Sequence, residues 1–168
     1  DLRGRISVAY IGIPHTVSRR IKDPTFVVEA EDIRAALPRR PSTSHKYSVG
    51  KIFVLAGSKG LTGAAAMCST AALRSGAGAV VLGTPETVYP VLARKLNEVM
   101  VMPLPATAEG SIAAEAFEQV REKLSWADVA VIGPGLSQDP DTQSLVRRII
   151  QSFSGRILLD ADGLDRGN

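Results

Sequence analysis

From Lys51 onward, short apolar runs alternate with longer segments whose apolar positions recur at a helical period. The runs are rich in Val, Ile and Leu and are bounded by Gly or Pro, a pattern typical of strands buried on both faces. They lie at residues 52–56, 79–83, 98–103, 128–132 and 156–160. This order of strand and helix predicts an α/β fold with a mostly parallel sheet covered by helices on both faces.

The segments between these strands carry helix start signals. Thr62, Thr84 and Ser111 are N-cap candidates, and Pro85 suits the first position of the second helix. We therefore expect helices over residues 63–75, 85–96, 112–124 and 141–153.

Residues 1–50 lack this regular alternation. Residues 6–13 are strand-like, residues 15–24 are typical of a linker, and residues 29–37 predict one short helix. We expect residues 1–14 to be the tail of a preceding domain, residues 15–26 a linker, and residues 27–168 a second domain. Because proteins do not normally begin with aspartate, Asp1 suggests a piece of a longer protein.

The composition is that of a soluble globular protein, with 45% hydrophobic residues, 22% charged residues and a formal net charge of +3. Basic residues are spread along the chain and aromatic residues make up only 5%, so we expect no nucleic-acid partner. No apolar run approaches the length of a membrane span, so we expect no membrane partner. The single cysteine, Cys68, cannot form an internal disulfide, which fits a reducing cytoplasm.

Glycines separate the first predicted strand from the helix after it. Gly57, Gly60 and Gly63 allow tight backbone geometry at a helix N-terminus, where N–H groups and the helix dipole favour a phosphate or another anion. The alternative is that these glycines only permit a sharp turn, while the alanines that follow permit close helix packing. The spacing excludes a P-loop, because Ala64 follows Gly63 where that motif requires Lys, and GxGxxG is also absent.

Three loops follow predicted strands and are expected to meet, because the carboxyl ends of parallel strands share one edge of the sheet. They span residues 57–64, 133–137 and 160–162. Gly133 and Gly135 either bring backbone amides close to a ligand or form a plain turn. Asp160 and Asp162 suit Mg²⁺ binding through water, orientation of a hydroxyl or proton transfer; the alternative is one capping and one solvated carboxylate.

Other catalytic and metal motifs find no support. His15 and His45 are the only histidines, and neither has a partner at metal-ligand spacing. A GxSxG elbow is also absent from the sequence. We therefore expect neither a zinc site nor a Ser-His-Asp triad.

Seven short segments occur in a fixed order along the chain: HKYSVG at 45–50, AGSKGLTGA at 56–64, ALRSGAG at 72–78, TPE at 84–86, VMVMPL at 99–104, IGPGL at 132–136 and LDAD at 159–162. In order and spacing this series resembles a known family, the ADP/ATP-dependent NAD(P)H-hydrate dehydratases. The resemblance covers roughly residues 27–165. Residues 5–14 are similar to the end of the NAD(P)H-hydrate epimerase domain that precedes the dehydratase in bifunctional bacterial proteins.

The resemblance implies a ribokinase-like three-layer fold and repair of the nicotinamide cofactor. The S form of hydrated NADH or NADPH is dehydrated at the expense of ADP or ATP, with Mg²⁺ assisting, by a homo-oligomer. It further implies that the substrate-binding residues are Thr62, Gly63, Ala64, Gly133 and Gly135, with Asp160 and Asp162 near the same cleft.

The family also has later motifs that this sequence lacks. They are Thr-Pro-His-Pro-Gly-Glu and Gly-Thr/Ala-Gly-Asp, whose aspartate is the catalytic base of the family. We therefore expect an incomplete catalytic domain with no catalytic base and no metal ligands, and no dehydration by these residues alone. The alternatives are another ribokinase-like small-molecule kinase and a non-catalytic nucleotide-binding module.

Overall fold

A computed structural model describes residues 9, 11–18, 20, 27–37, 43 and 45–164. The chain divides into two compact units, Asp1–Arg39 and Arg40–Asn168, and each is described by itself. No helix in the described part of the chain is both long and apolar enough to span a membrane.

Among the residues of the first unit that the structure describes, two short helices are formed, α1 (His15–Ser18) and α2 (Ala30–Ala36). The predicted helix over 29–37 is therefore confirmed, and the Glu29 N–H donates to the Asp32 carboxylate at its start (2.9 Å). Helix α1 lies within the expected linker at 15–24, and half of the strand-like stretch 6–13 lies outside the described residues. The division into residues 1–14, 15–26 and 27–168 stays a prediction.

The second unit is built on a parallel sheet of β1 (Lys51–Leu55), β2 (Ala79–Pro85), β3 (Met100–Leu104), β4 (Val129–Ile132) and β5 (Arg156–Leu159). The strands of this sheet lie in the order β3-β2-β1-β4-β5. The central strand β1 pairs Leu55 with Gly83 on one side and with Ile132 on the other. All the predicted strands from residue 51 onward are confirmed, as is the parallel α/β class.

Alternating residues of β1 contribute to two cores, one on each face of the sheet. Val54 and the neighbouring Ala56 pack beneath α3 (Thr62–Arg74) and α4 (Tyr89–Lys95). Phe53 and Leu55 pack beneath α5 (Phe117–Trp126) and α6 (Pro140–Ser152). Helices on both faces of the sheet give the expected three layers.

Part of the sheet has no helix above it within the described residues. Leu158 of β5 pairs with Val131 of β4, which belongs to the core beneath α3. Leu158 is nevertheless 53% exposed, so the α3 side of β5 faces solvent in this chain.

Three predicted helix starts are wrong. Thr62 is the first helical residue of α3, and the N-cap is Leu61. Thr84 and Pro85 extend β2, because they pair with Pro103 and Leu104 of β3, so α4 begins only at Tyr89. Ser111 belongs to a loop in which Ile112 bridges Ala106, and a 3₁₀ turn at Ala114–Ala116 leads into α5. At Thr84 the pairing with a neighbouring strand overrides the local capping signal, and at Ser111 the bridge between Ile112 and Ala106 does so.

The fold predicts a large difference between two leucine truncations. Leu145 on α6 is fully buried in the core beneath α5 and α6, so Leu145→Ala is expected to lower the free energy of unfolding by about 2–5 kcal/mol. Leu158→Ala makes the same change at an exposed position and is expected to cost less than about 1 kcal/mol. Urea unfolding of both variants measures this, and equal losses would contradict the assigned buried face of α6.

Candidate functional site

The loop between β1 and α3 packs tightly against two neighbours. Gly57 has φ +88°, and a Cβ there would lie 3.0 Å from Thr84 Oγ1 and 3.1 Å from Ala65 Cβ. Its N–H donates to the carbonyl of Pro134 (3.0 Å). Gly57 therefore allows this loop to pack closely against its neighbours.

The start of α3 offers free backbone donors. Its N-cap is Leu61, and no side chain caps the helix. The N–H groups of Thr62, Gly63 and Ala64 therefore have no acceptor within the helix and are available to water or a ligand. Gly63 is exposed, and Thr62 and Ala64 are half-buried. Together with the helix dipole, these donors suit an anion.

The loop after β4 lies directly against this helix start. Gly135 has φ +69°, and a Cβ there would lie 2.8 Å from the carbonyl oxygen of Leu61 and 3.4 Å from Ala64 Cβ. The buried Ser58 hydroxyl donates to the carbonyl of Gly135 (2.9 Å). Gly135 is therefore required for the two loops to approach so closely.

The loop after β5 is packed just as closely on the other side. Gly133 has φ +129°, and a Cβ there would fall 1.7 Å from the carbonyl oxygen of Asp160. The N–H of Asp160 donates to the Ile132 carbonyl (3.0 Å). The three loops therefore meet as expected, although Gly133 and Gly135 are themselves buried.

The two candidate aspartates have different surroundings. The half-buried Asp162 accepts hydrogen bonds from the Ser137 N–H (3.0 Å) and from Gln138 Nε2 (2.9 Å). Asp160 is exposed, and no hydrogen bond to its carboxylate is seen within the described residues. Burial raises the pKa of the Cys68 thiol on α3, and the negative charge of Asp160 raises this pKa further. Among the described residues, the Asp160 carboxylate is thus free of hydrogen bonds on the side of α3, whereas the Asp162 carboxylate is held by two donors and keeps further acceptor capacity.

Polar residues that the sequence analysis did not single out as part of a site connect the same loops. The hydroxyls of Ser111 and Ser137 lie 2.6 Å apart, and Gln143 Nε2 donates to the Ser137 carbonyl (3.0 Å). One signal was available for Gln143, since it lies three residues before Val146 and six before Ile149 on the buried face of α6. A polar residue on an apolar helical stripe indicates a buried hydrogen bond.

A metal site is not preformed among the side chains that the structure describes. No group of three or more His, Cys, Asp or Glu residues there is arranged to hold an ion. Asp160 fits the donor type that Mg²⁺ prefers, and Mg²⁺ commonly combines one or two carboxylates with substrate phosphates.

Free helix-start donors and an unbonded carboxylate lie together at the carboxyl edge of a parallel sheet. This places the chain in the class of α/β proteins that bind ligands in loops beyond the strand ends. The chain belongs to the NAD(P)H-hydrate dehydratase family, whose sequence profile matches residues 52–166.

Curated relatives are much longer than this chain. It is 40% identical over 165 residues to the bifunctional NAD(P)H-hydrate repair enzyme Nnr of Moorella thermoacetica, covering 98% of this chain and 31% of that protein. The corresponding enzyme of Salinibacter ruber is 37% identical over 166 residues, covering 96% of this chain and 31% of that protein. The chain thus spans about a third of these relatives.

Solved structures share the fold. The ADP/ATP-dependent NAD(P)H-hydrate dehydratase from Bacillus subtilis, co-crystallised with ATP/Mg²⁺, is 31% identical with a TM-score of 0.61, over 81% of this chain and 46% of that chain. A ribokinase-like superfamily protein from Enterococcus faecalis is 25% identical with a TM-score of 0.66, over 80% and 45% of the two chains. The expected ribokinase-like fold and family are confirmed, and this chain covers part of that fold.

Because Gly133 lies so close to Asp160, we expect the addition of a single methyl group at Gly133 to destabilise the fold strongly. Gly133→Ala is expected to lower the free energy of unfolding by at least about 3 kcal/mol, because the Cβ overlaps the Asp160 carbonyl oxygen. Gly60→Ala is the control, since Gly60 has φ +85° but nothing within 4 Å of a Cβ, and about 1–2 kcal/mol is expected from backbone strain alone. Denaturant unfolding that gives similar losses would contradict the close approach.

The position of Asp160 predicts the reactivity of Cys68. Asp160→Asn removes the charge that raises the pKa of this thiol, so more thiolate forms at a given pH and alkylation by iodoacetamide becomes faster. Glu86→Gln, at an exposed carboxylate that does not contribute to this shift, is the control and leaves the rate unchanged. A rate unaffected by Asp160→Asn would place that carboxylate away from α3.

Proposed function

We propose that the chain contributes the binding surface for hydrated NADH or NADPH in an ADP- or ATP-dependent NAD(P)H-hydrate dehydratase. The observation that carries this proposal is the contact among the three loops, made by Gly135 against Leu61 and by Gly133 against Asp160. Family membership supplies the chemistry, because the profile that matches residues 52–166 is that of the NAD(P)H-hydrate dehydratases.

The backbone N–H groups and the carboxylates of the site suit different parts of such a substrate. The N–H groups of Thr62, Gly63 and Ala64 suit the phosphate oxygens of a dinucleotide. Asp160 and Asp162 suit hydroxyl groups, which donate hydrogen bonds to carboxylates. Gly133 and Gly135 shape this surface, because any side chain at either position would drive the loops apart.

The nucleotide makes the dehydration feasible. Transfer of the terminal phosphoryl group of ATP or ADP to the hydroxyl of the hydrate breaks the terminal P–O–P linkage and releases ADP or AMP. The resulting phosphate ester is a good leaving group, and it departs as inorganic phosphate, with loss of a proton, when the double bond of the dihydronicotinamide forms. Mg²⁺ belongs to this proposal, and its support is the exposed carboxylate of Asp160, which would hold the ion together with phosphate oxygens of the nucleotide. When bound, the ion would neutralise charge on those phosphates.

We also propose that the chain self-associates and acts in the cytoplasm. On the outer face of α3, Met67 is 70% exposed, and a groove of about 500 Å³ with both apolar and basic lining lies between α3 and Leu96 at the end of α4. An exposed apolar side chain beside such a groove supports contact with a second copy. The free thiol of Cys68 supports a reducing compartment.

Binding of hydrated NADPH tests the proposed substrate site. Ala64→Leu adds bulk between α3 and the Gly135 loop, so calorimetry is expected to show a Kd raised at least about tenfold, or about 1.4 kcal/mol. Ala71→Leu makes the same change at an exposed position two turns further along α3 and is expected to leave the Kd unchanged.

Two results would contradict the proposal. Failure of the unsubstituted chain to bind hydrated NADPH removes the substrate assignment, and equal effects of the two variants remove the site. Product analysis with ADP and Mg²⁺, made on a protein that also contains the later family motifs, separates the kinase alternative, since a kinase releases a phosphorylated compound whereas the dehydratase restores reduced nicotinamide absorbance.

A further inference from the structure

The buried amide of Gln143 joins two of the three site loops. Gln143 lies in the first half of α6 and is 4% exposed. Its Nε2 donates to the carbonyl oxygen of Ser137 (3.0 Å) and to that of Asp162 (2.9 Å). Both amide protons therefore connect the loop after β4 with the loop after β5.

The backbone beside this connection has an unusual conformation in both loops. Ser137 has φ 75° and Ala161 has φ 45°, although both residues carry side chains. This left-handed region is sparsely populated by such residues and persists only where the surroundings hold it. The Gln143 amide bonds the carbonyls of Ser137 and Asp162, at and next to these two residues, and so helps to hold their backbone conformation.

A second link joins the same loops through the Asp162 carboxylate. This carboxylate accepts one hydrogen bond from the Ser137 N–H and another from Gln138 Nε2. Whereas the Asp162 carboxylate accepts hydrogen bonds, the Gln143 amide donates them, to one carbonyl oxygen in each loop. The two links together fix Asp162 at its main chain and at its side chain.

We propose that Gln143 is a positioning residue that holds Asp162 and the Ser137 backbone in the arrangement that binds the hydrated nicotinamide substrate. The inference rests on the proposed function for the identity of the ligand. Without the amide, two carbonyl oxygens lose their donor, and a buried acceptor without a partner is unfavourable. The loops then separate, and the Asp162 carboxylate loses its fixed direction.

The test replaces the amide without changing the length of the side chain. Gln143→Met removes both donors, and Gln151→Met is the matched control at an exposed position on the same helix. Hydrogen exchange of the Ser137 N–H, which donates to Asp162, is measured by NMR, and the Kd for hydrated NADPH by calorimetry. Gln143→Met is expected to speed this exchange and to raise the Kd, each at least about tenfold, while exchange of the β1 amides and the control variant stay unchanged.

Each outcome decides the proposal. An unchanged Ser137 exchange rate or an unchanged Kd overturns it, and so does faster exchange in β1 by the same factor, which would indicate a purely structural role. If the unsubstituted chain does not bind hydrated NADPH, the proposed function is wrong. The positioning role is then decided by the exchange rates of the Ser137 and β1 amides alone. If Gln143→Met shows no cooperative melting, Gln143→Glu, which keeps the shape and loses the amide donors, is held to the same criteria.

Discussion

The absence of a side chain at Gly133 is the constraint on which the site depends. Strands β4 and β5 are parallel neighbours, so their following loops leave the same edge of the sheet side by side. At Gly133 they approach until a Cβ would lie 1.7 Å from the Asp160 carbonyl oxygen. Because Gly135 is two residues further on, the same loop also reaches the Leu61 carbonyl at the start of α3. One short loop thus brings the ends of β1, β4 and β5 into a single surface.

The alternation of side chains along β1 explains why this surface has a different helix on each face of the sheet. Phe53 and Leu55 belong to the core under α5 and α6, whereas Val54 belongs to the core under α3 and α4. Successive residues of a strand point to opposite faces, so one buried strand supports both layers. The helices that follow β1 and β4 both begin at the carboxyl edge, on either side of the loops.

The sequence was sufficient to predict the sheet and the meeting of the loops, because both follow from local pattern and topology. Apolar runs bounded by glycine and proline mark the strands, and parallel strands bring their carboxyl ends to one edge. The sequence was insufficient to predict the place of Ser111, because its hydroxyl contacts Ser137, a residue 26 positions away. The prediction that Thr84 caps a helix was wrong for a similar reason, since pairing with Pro103 keeps Thr84 in β2. In both cases the local signal was that of a helix cap, and a partner distant in sequence decided the structure.

Helices α3 and α6, which begin beside these loops, differ in how their N-termini are satisfied. At α6, the Asp139 side chain accepts a hydrogen bond from the Asp141 N–H (2.9 Å), so the helix is capped by its own chain. At α3, Leu61 has no side-chain acceptor to offer, and the first turn keeps its donors free. An anion that enters the site therefore gains hydrogen bonds at α3, whereas at α6 it would compete with a carboxylate of like charge. This asymmetry directs negative groups of a ligand toward Thr62, Gly63 and Ala64. On the α6 side, Gln143 holds the loops after β4 and β5 together.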